Sequence, residues 1–263
     1  MEGNGKKTIE IVVFLYVPES KYGLLGQSLE HSFSKDFFSD LFVEKGVSAT
    51  YDLIEIESQN LLPVFFRKLF PLYSGINVTI PYKQKVMPFL DEISEEALEI
   101  GAVNTIKRLK DGRSVGYNTD AFGFHQSIKP FLNFNHHRAL ILGTGGAAKA
   151  VAYVLQKIGL DVFYISRAPK NKNQFAYSDI NENMVNSCKL IVNCTPVGMF
   201  PEISKTIPFP FQFLSPEHLV IDLIYNPEET NFLKKSSQQG TLVLNGNSML
   251  HQQALKSWDI WTS

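Results

Sequence analysis

The sequence predicts an α/β chain in two units. Three features carry this: from Tyr22 onward short apolar runs alternate with amphipathic stretches of helical period, the alternation restarts after residue 137, and the second run opens on a glycine-rich turn. Such alternation implies parallel sheets covered by helices, and two units in one chain imply two α/β domains with a cleft between them. At 263 residues the chain can bury a sizeable core, enough for one large domain or two.

Taken in order, "IVVFLYV" (11–17) is apolar but too short for a bilayer, which needs roughly 20 residues. Lys6 and Lys7 precede it as in a signal peptide, yet Glu10 interrupts and no small-residue cleavage site follows. An extra strand or a loosely held extension is the favoured reading. "YGLLG" (22–26) reads as a buried strand, and "KDFFSDLFVEKG" as a helix with Phe37, Phe38, Leu41 and Phe42 on its apolar face and Gly46 as its stop. "TYDLIEI" is the next strand.

In "GINVTIPYK" (75–83), Asn77 and Thr79 alternate with Val78 and Ile80, so the polar pair shares one face of a strand. Pro81 suits the first turn of a helix, which puts Lys83 at the positive end of a helix dipole. That end favours acids, so a cation there needs an anionic or polar partner. Further on, "AVNTIKRLKDGRSVGYNTDAFG" (102–123) carries Asp111-Gly112 between two polar–apolar runs, a strong hairpin signal. A two-residue turn there sets Asn104 opposite Thr119 and therefore beside Asp120.

The second unit reads as "RALIL", a helix over 146–158, and the strands "DVFYIS", "KLIVNC", "LVIDLI" and "TLVL". Gly143, Gly145 and Ala148 fit the G-x-G-x-x-G/A dinucleotide fingerprint in its required setting, after a strand and at a helix start, which makes this unit Rossmann-like. Ala147, Val151, Val154, Leu155 and Ile158 form the helix's apolar stripe. A glycine-rich turn that only packs a helix closely would look alike, but the complete strand–turn–helix–strand setting favours a nucleotide.

Composition narrows the partners. The 25 basic and 26 acidic residues leave a formal charge of −1 with no Lys/Arg block, whereas nucleic-acid binding needs a basic face. A small, locally recognised ligand fits better. Cys188 and Cys194 lack CxxC spacing, and the pair His136-His137 has no cysteine or carboxylate company at ligand spacing. The expectation is reduced thiols in a cytoplasmic protein, with no metal and no membrane partner.

Lys83, Asn104 and Asp120 meeting by accident would be an ion pair with a spectator amide. In a cleft facing a dinucleotide they form a proton donor, a carboxylate that can relay a proton, and an amide that orients it. A lysine beside an aspartate is a cation able to donate to a carbonyl oxygen as hydride arrives at carbon.

Together these motifs resemble the shikimate dehydrogenase family from Tyr22 to Trp258. "GQSLEHSFS", "GINVTIPYK", "GAVNTI", "GYNTDAFGF", "LGTGGAAKA", "NCTPVGM", "DLIYNPEETNFL" and "MLHQQALKSW" follow in the family's order, and only the glycine motif is shared widely with other enzymes. The resemblance implies an NADP-dependent enzyme that reversibly reduces 3-dehydroshikimate to shikimate, with Lys83 and Asp120 as its catalytic pair. It implies Ser32 and Ser34 as receivers of the substrate carboxylate, and Thr79, Asn104 and Gln253 as partners of ring hydroxyls. Asn77 and Tyr225 would also face the substrate, although the serines read equally as loop caps and Tyr225, beside Pro227, as core packing. For the cofactor it implies Gly143, Thr144, Gly145, Gly146 and Ala147, then Ser166 and Arg167, then Thr195, Leu223 and Gly246. It implies a substrate domain of residues 1–119, completed by 247–263 as the C-terminal helix returns, and an NADP domain of 120–246, in a monomer or homodimer.

Three positions depart from the family's usual pattern. Lys35 stands where a proline is common, Ser248 where a glycine usually precedes "ML", and "SRA" (166–168) where Asn-Arg-Thr is familiar. They bear on cofactor affinity and loop shape, not on the reaction. Arg167, with Lys170 and Lys172 close behind and no acid before Asp179, makes the region after "DVFYIS" cationic, which suits a 2′-phosphate. Two rivals stay open: a quinate/shikimate dehydrogenase that prefers NAD, and a non-catalytic nucleotide sensor, against which the retained polar pocket argues.

Overall fold

The computed structural model describes residues 20–30 and 32–263, so the run at 11–17 lies outside the described residues. The first half runs β1 (Ser20–Gly26), α1 (Ser34–Lys45), β2 (Ala49–Glu55), α2 (Leu62–Lys68), β3 (Gly75–Val78), β4 (Glu92–Ile93), α3 (Glu95–Ile100), β5 (Thr105–Arg108), β6 (Ser114–Tyr117) and α4 (Thr119–Ile128). The second runs β7 (Arg138–Leu142), α5 (Gly146–Lys157), β8 (Asp161–Ile165), β9 (Gln174–Phe175), α6 (Glu182–Ser187), β10 (Leu190–Asn193), β11 (Leu219–Asp222), α7 (Asn231–Ser237), β12 (Leu242–Leu244) and α8 (Asn247–Thr262).

The strands form two six-stranded sheets, ordered β2-β1-β3-β5-β6-β4 and β12-β11-β10-β7-β8-β9. Every pairing in the second is parallel. Its strands run outward in both directions from the neighbours β7 and β10, the doubly wound arrangement whose ligand crevice opens where the order reverses, between β7 and β10. The first sheet departs from the all-parallel expectation. β1 lies parallel to β2 and β3, but β5 runs antiparallel to β3 and β6 to β5; the last reversal follows because the β5–β6 connection is a hairpin too short for a crossover.

The strands of the second sheet read as continuous apolar runs because both faces are covered. Ala139 and Ile141 pack with Val151, Leu155 and Phe124 on one side, while Leu140 and Leu142 pack with Val185, Phe232 and Leu233 on the other. Each large aliphatic side chain so buried contributes about 1.5–3 kcal/mol. The apolar stripe of α5 differs from its expected form: Ala148, Val151, Ala152 and Leu155 are buried, but Ile158 is 38% exposed. That residue caps the helix, past the turn that faces the sheet.

α8 follows the second sheet in sequence yet packs on the first. Trp261 stacks on Tyr22 at 4.7 Å between centroids and donates its indole N–H to Ile106 O at 3.0 Å. Gly75 makes room for it, since a Cβ there would stand 2.3 Å from the Trp261 nitrogen. α4 and α8 cross just as closely at Gly123, where a Cβ would lie 2.6 Å from Met249 O and 2.9 Å from Gln253 Cβ. These two helices join the sheets.

Candidate active site

No α-helix begins at Pro81. Tyr82 N–H donates to Thr79 O at 2.9 Å, Lys85 and Val86 N–H donate to Tyr82 O at 2.8 and 3.0 Å, and the next element is one 3-10 turn, Met87–Phe89. Pro88 limits any helix run from Pro81 to less than two turns. In a helix run from Pro81 it would lack the required N–H and crowd the carbonyl four residues back. Buried Tyr82 and Val86 anchor the turn, with the Tyr82 hydroxyl donating to Ile56 O. Lys83 therefore opposes no helix dipole. Its carbonyl accepts from Val103 N–H at 2.7 Å, and its Nζ donates to Asp120 Oδ2 at 2.6 Å.

Asp120 is carried by the first turn of α4, whose N-cap Asn118 accepts from Ala121 N–H at 3.1 Å and donates to Ala102 O at 2.8 Å. Asn104 Nδ2 donates to Asp120 Oδ1 at 3.0 Å and to Thr119 Oγ1 at 2.9 Å, while its Oδ1 accepts from Thr119 N–H at 2.7 Å. The hairpin register differs from the expected one by one residue, with Thr105 opposite Tyr117 and Arg108 opposite Ser114. Leu109 N–H donates to Arg113 O at 2.8 Å, and Gly112 sits at φ 91°. This is a three-residue turn with glycine in the left-handed position, not a two-residue one. Asn104 still reaches Thr119 and Asp120, through its side chain instead of through strand pairing. The Lys83 and Asp120 side chains are only 14% and 6% exposed, and a buried pair persists when further hydrogen bonds hold it, as Asn104 does here.

Gln253 Oε1, on α8, accepts from Asn104 Nδ2 at 3.3 Å, which brings it to the same cluster. Asn77 faces inward: its Oδ1 accepts from the Tyr51 hydroxyl at 2.8 Å, and its Nδ2 donates to Thr105 Oγ1 at 3.1 Å and Ser257 Oγ at 2.9 Å. Thr79 is partly buried at the end of β3. Ser34 N–H donates to Ser32 Oγ at 3.3 Å, and burial pushes the Tyr51 phenol well up. Tyr225, from the loop after β11, meets Phe33 edge-on at 6.3 Å, and Phe33 meets His251 of α8 at 4.9 Å. The serine loop thus touches the second half of the chain.

The crevice between β7 and β10 fits a dinucleotide. Gly143 takes φ 106°, and a Cβ on it would lie 3.0 Å from Thr195 Cγ2, so the loops after the two strands meet there. Thr195 is held by its N–H and Oγ1, which donate to Asn193 Oδ1 at 2.8 and 2.7 Å. A Cβ on Gly145 would meet no atom within 4 Å, and the 12 residues of α5 start next to it with no capping side chain. Amides and a helix dipole at such a position are the features that suit a phosphate. Thr144 is exposed and Ala147 partly buried beside it. Ser166 Oγ accepts from Ala168 N–H at 3.2 Å, leaving Arg167 exposed beyond β8. Gly246 N–H donates to Ile224 O at 3.0 Å, and a Cβ there would overlap Leu223 O at 2.1 Å, so Leu223 and Gly246 close the β11 side of the crevice. Among the described residues no group of three or more His, Cys, Asp or Glu is placed to hold a metal ion, both cysteines are free, and no helix is long and apolar enough to cross a membrane.

A family model described as the shikimate dehydrogenase substrate binding domain matches residues 24–106. The shikimate dehydrogenase (NADP(+)) of Desulforamulus reducens is 39% identical over 259 residues, spanning 91% of this chain and 89% of that protein. The chain belongs to the shikimate dehydrogenase family. Solved structures agree. The shikimate dehydrogenase of Aquifex aeolicus superposes with a TM-score of 0.81 at 34% identity, over 92% of each chain. The shikimate 5-dehydrogenase of Thermus thermophilus, in complex with NADP(H) and shikimate, gives 0.79 at 30% identity, over 92% of this chain and 93% of that one.

The family's sequence motifs cover the cluster only in part. Thr105, Ser257 and Tyr51 are buried with it and add to the expected site, although Thr105 falls within "GAVNTI" and Ser257 within "MLHQQALKSW": Thr105 Oγ1 and Ser257 Oγ lie 2.8 Å apart, and both bond Asn77. One signal was available for Ser257. It follows Gln253 by four residues on α8, hence on the same helical face.

Proposed function

We propose that this chain is a cytoplasmic, NADP-dependent oxidoreductase that interconverts 3-dehydroshikimate and shikimate, with Lys83 and Asp120 as its acid–base pair. The observation that carries this is the buried Lys83–Asp120–Asn104 cluster, set against the glycine loop, where a Cβ on Gly146 would lie 3.2 Å from Lys83 Cβ. Bound NADPH supplies the hydride. Reducing the ring carbonyl also requires one proton on its oxygen, and Lys83 Nζ donates it. Asp120 balances that ammonium, and the neutral amine left behind regains its proton from solvent, the carboxylate serving only as a relay, while Asn104 stops that carboxylate from turning away. Run backwards, the same pair withdraws the hydroxyl proton.

Ser32 and Ser34 receive the substrate carboxylate; Thr79, Asn104 and Gln253 meet the ring hydroxyls; Tyr225 closes on the serine loop. Asn77 supports them from below through Tyr51 and Ser257. The phosphates rest on Gly143–Ala147, with Ser166 and Arg167 at the ribose 2′-phosphate and Thr195, Leu223 and Gly246 along the nicotinamide half. The division of labour is residues 1–119 with 247–263 for substrate and 120–246 for NADP, supported by the aromatic core that α8 shares with the first sheet. The molecule works as a monomer or homodimer, which sedimentation distinguishes.

The test is an assay of NADPH absorbance with shikimate or quinate and with NADP or NAD. The expected result is the highest catalytic efficiency for shikimate with NADP. Reduction with neither nucleotide would leave a sensor, and preference for quinate with NAD would move the chain to the rival enzyme.

A further inference from the structure

Lys149 stands in the first turn of α5, where the positive end of the helix disfavours a cation. The plain use for a lysine there is to grip a bound phosphate. Its ammonium instead crosses to the first half of the chain, donating to Gln84 Oε1 at 3.2 Å and reaching Gly101 O at 3.5 Å. Gly101 is the left-handed C-cap of α3, at φ 69°, so its carbonyl belongs to that helix's negative end.

Both acceptors border the catalytic cluster. Gln84 follows Lys83 directly, and the segment after Gly101 touches each member of the cluster. Ala102 O accepts from Asn118 Nδ2 at 2.8 Å, Val103 N–H donates to Lys83 O at 2.7 Å, and Asn104 Nδ2 donates to Asp120 Oδ1 at 3.0 Å. A second contact runs the same way. A Cβ on Gly146 would lie 3.2 Å from Lys83 Cβ and 3.6 Å from Ala102 Cβ, so the glycine loop rests on the lysine's stem.

We propose that Lys149 is a positioning residue: it ties the start of α5 to Gln84 and Gly101 and so sets the Lys83–Asp120 pair in register with the glycine loop. It is not a phosphate ligand. The inference rests on the catalytic reading of Lys83. Without the tie the Lys83 turn shifts against the glycine loop, and a misplacement of about 1 Å can lower a rate by about 10²-fold.

Lys149→Met keeps the stem and removes the donor. The kcat for shikimate oxidation is expected to fall about tenfold, while the Kd for NADPH, followed by its fluorescence, stays within about twofold. Lys149→Arg keeps donors for both acceptors and restores most of the turnover. Gln84→Leu lowers kcat by a smaller factor, since Lys149 still reaches Gly101 O, and the double variant Lys149→Met/Gln84→Leu falls no further than Lys149→Met, because the lysine change already removes both contacts. An unchanged kcat with a raised, salt-sensitive Kd for NADPH would make Lys149 a phosphate ligand and overturn the proposal. Additive losses in the double variant, or a lower melting temperature with normal turnover, overturn it as well. The underlying reading fails by a separate result: no shikimate-dependent NADP reduction by the wild type, or full turnover in Lys83→Met.

Discussion

Asp120→Asn and Lys83→Met, alone and together, separate what the ion pair does for the fold from what it does for the reaction. In Asp120→Asn the remaining oxygen still accepts from Asn104, but Lys83 loses a charge-assisted bond of 2.6 Å, a loss of about 1.5–3 kcal/mol. Lys83 retains some contact with solvent, at 14% exposure, and the lower end of that range applies. Lys83→Met is harsher. It strands a carboxylate that is 6% exposed, and breaking a buried pair from one side costs about 3–5 kcal/mol. The double variant holds neither charge, so its stability is expected to return close to that of the wild type. Turnover behaves differently: each single change lowers kcat by about 10²–10⁴, the range for a positioned acid or base, and the double variant falls no further because both act on one proton. Urea unfolding and steady-state shikimate oxidation on the same four proteins measure both cycles. Additive stability losses would mean the charges do not pair in solution. Near-normal turnover in either single variant would refute the acid–base assignment.

Ser34→Ala is expected to weaken shikimate binding by about 1.5–3 kcal/mol, one charge-assisted hydrogen bond, and to leave NADP binding unchanged; equal losses by calorimetry would make the loop structural. Arg167→Ala is expected to raise the KM for NADP far more than that for NAD, since the exposed guanidinium meets only the 2′-phosphate; an equal effect on both nucleotides contradicts this. His218 is buried, with Nδ1 accepting from Ser215 N–H at 3.0 Å and Nε2 bonding Val185 O at 3.0 Å, and burial holds it and His136 below the usual histidine pKa. The unfolded chain therefore takes up protons first, so stability holds above a pH of about 6.5 and falls below it. Urea midpoints at about pH 7.5 and about pH 5.5 should differ, and differ less in His218→Gln; identical midpoints would refute the assignment.

The second sheet was legible because its strands are buried on both faces and its fingerprint is local. β7, β10 and β11 each carry at least three consecutive apolar residues. Two-residue β4 and β9, and the six-residue helices α3 and α6, are too short to show a period. At the site, sequence put Lys83 near Asp120 by a wrong route. The expected helix after Pro81 is absent: Pro88 limits its length, and the buried side chains of Tyr82 and Val86 anchor a turn. The Asp111-Gly112 signal gave a hairpin but not its register, because Gly112 serves as the third residue of a longer turn. Ser257 and Thr105 lie inside two of the motifs, but nothing in the sequence pairs them. They meet 2.8 Å apart from positions 152 residues apart in the chain, a contact that only the assembled fold makes.

The return of α8 to the first sheet sets an order on the making of the molecule. Residues 138–244 supply the whole second sheet from one continuous stretch, so that part can close while synthesis is still under way. The first sheet cannot. Tyr22, Phe38 and Tyr51 are translated early, yet the cluster that covers them includes Trp258 and Trp261. Until those two tryptophans are made, that aromatic face lacks part of its cover. The half of the protein that leaves the ribosome first is the half that finishes folding last.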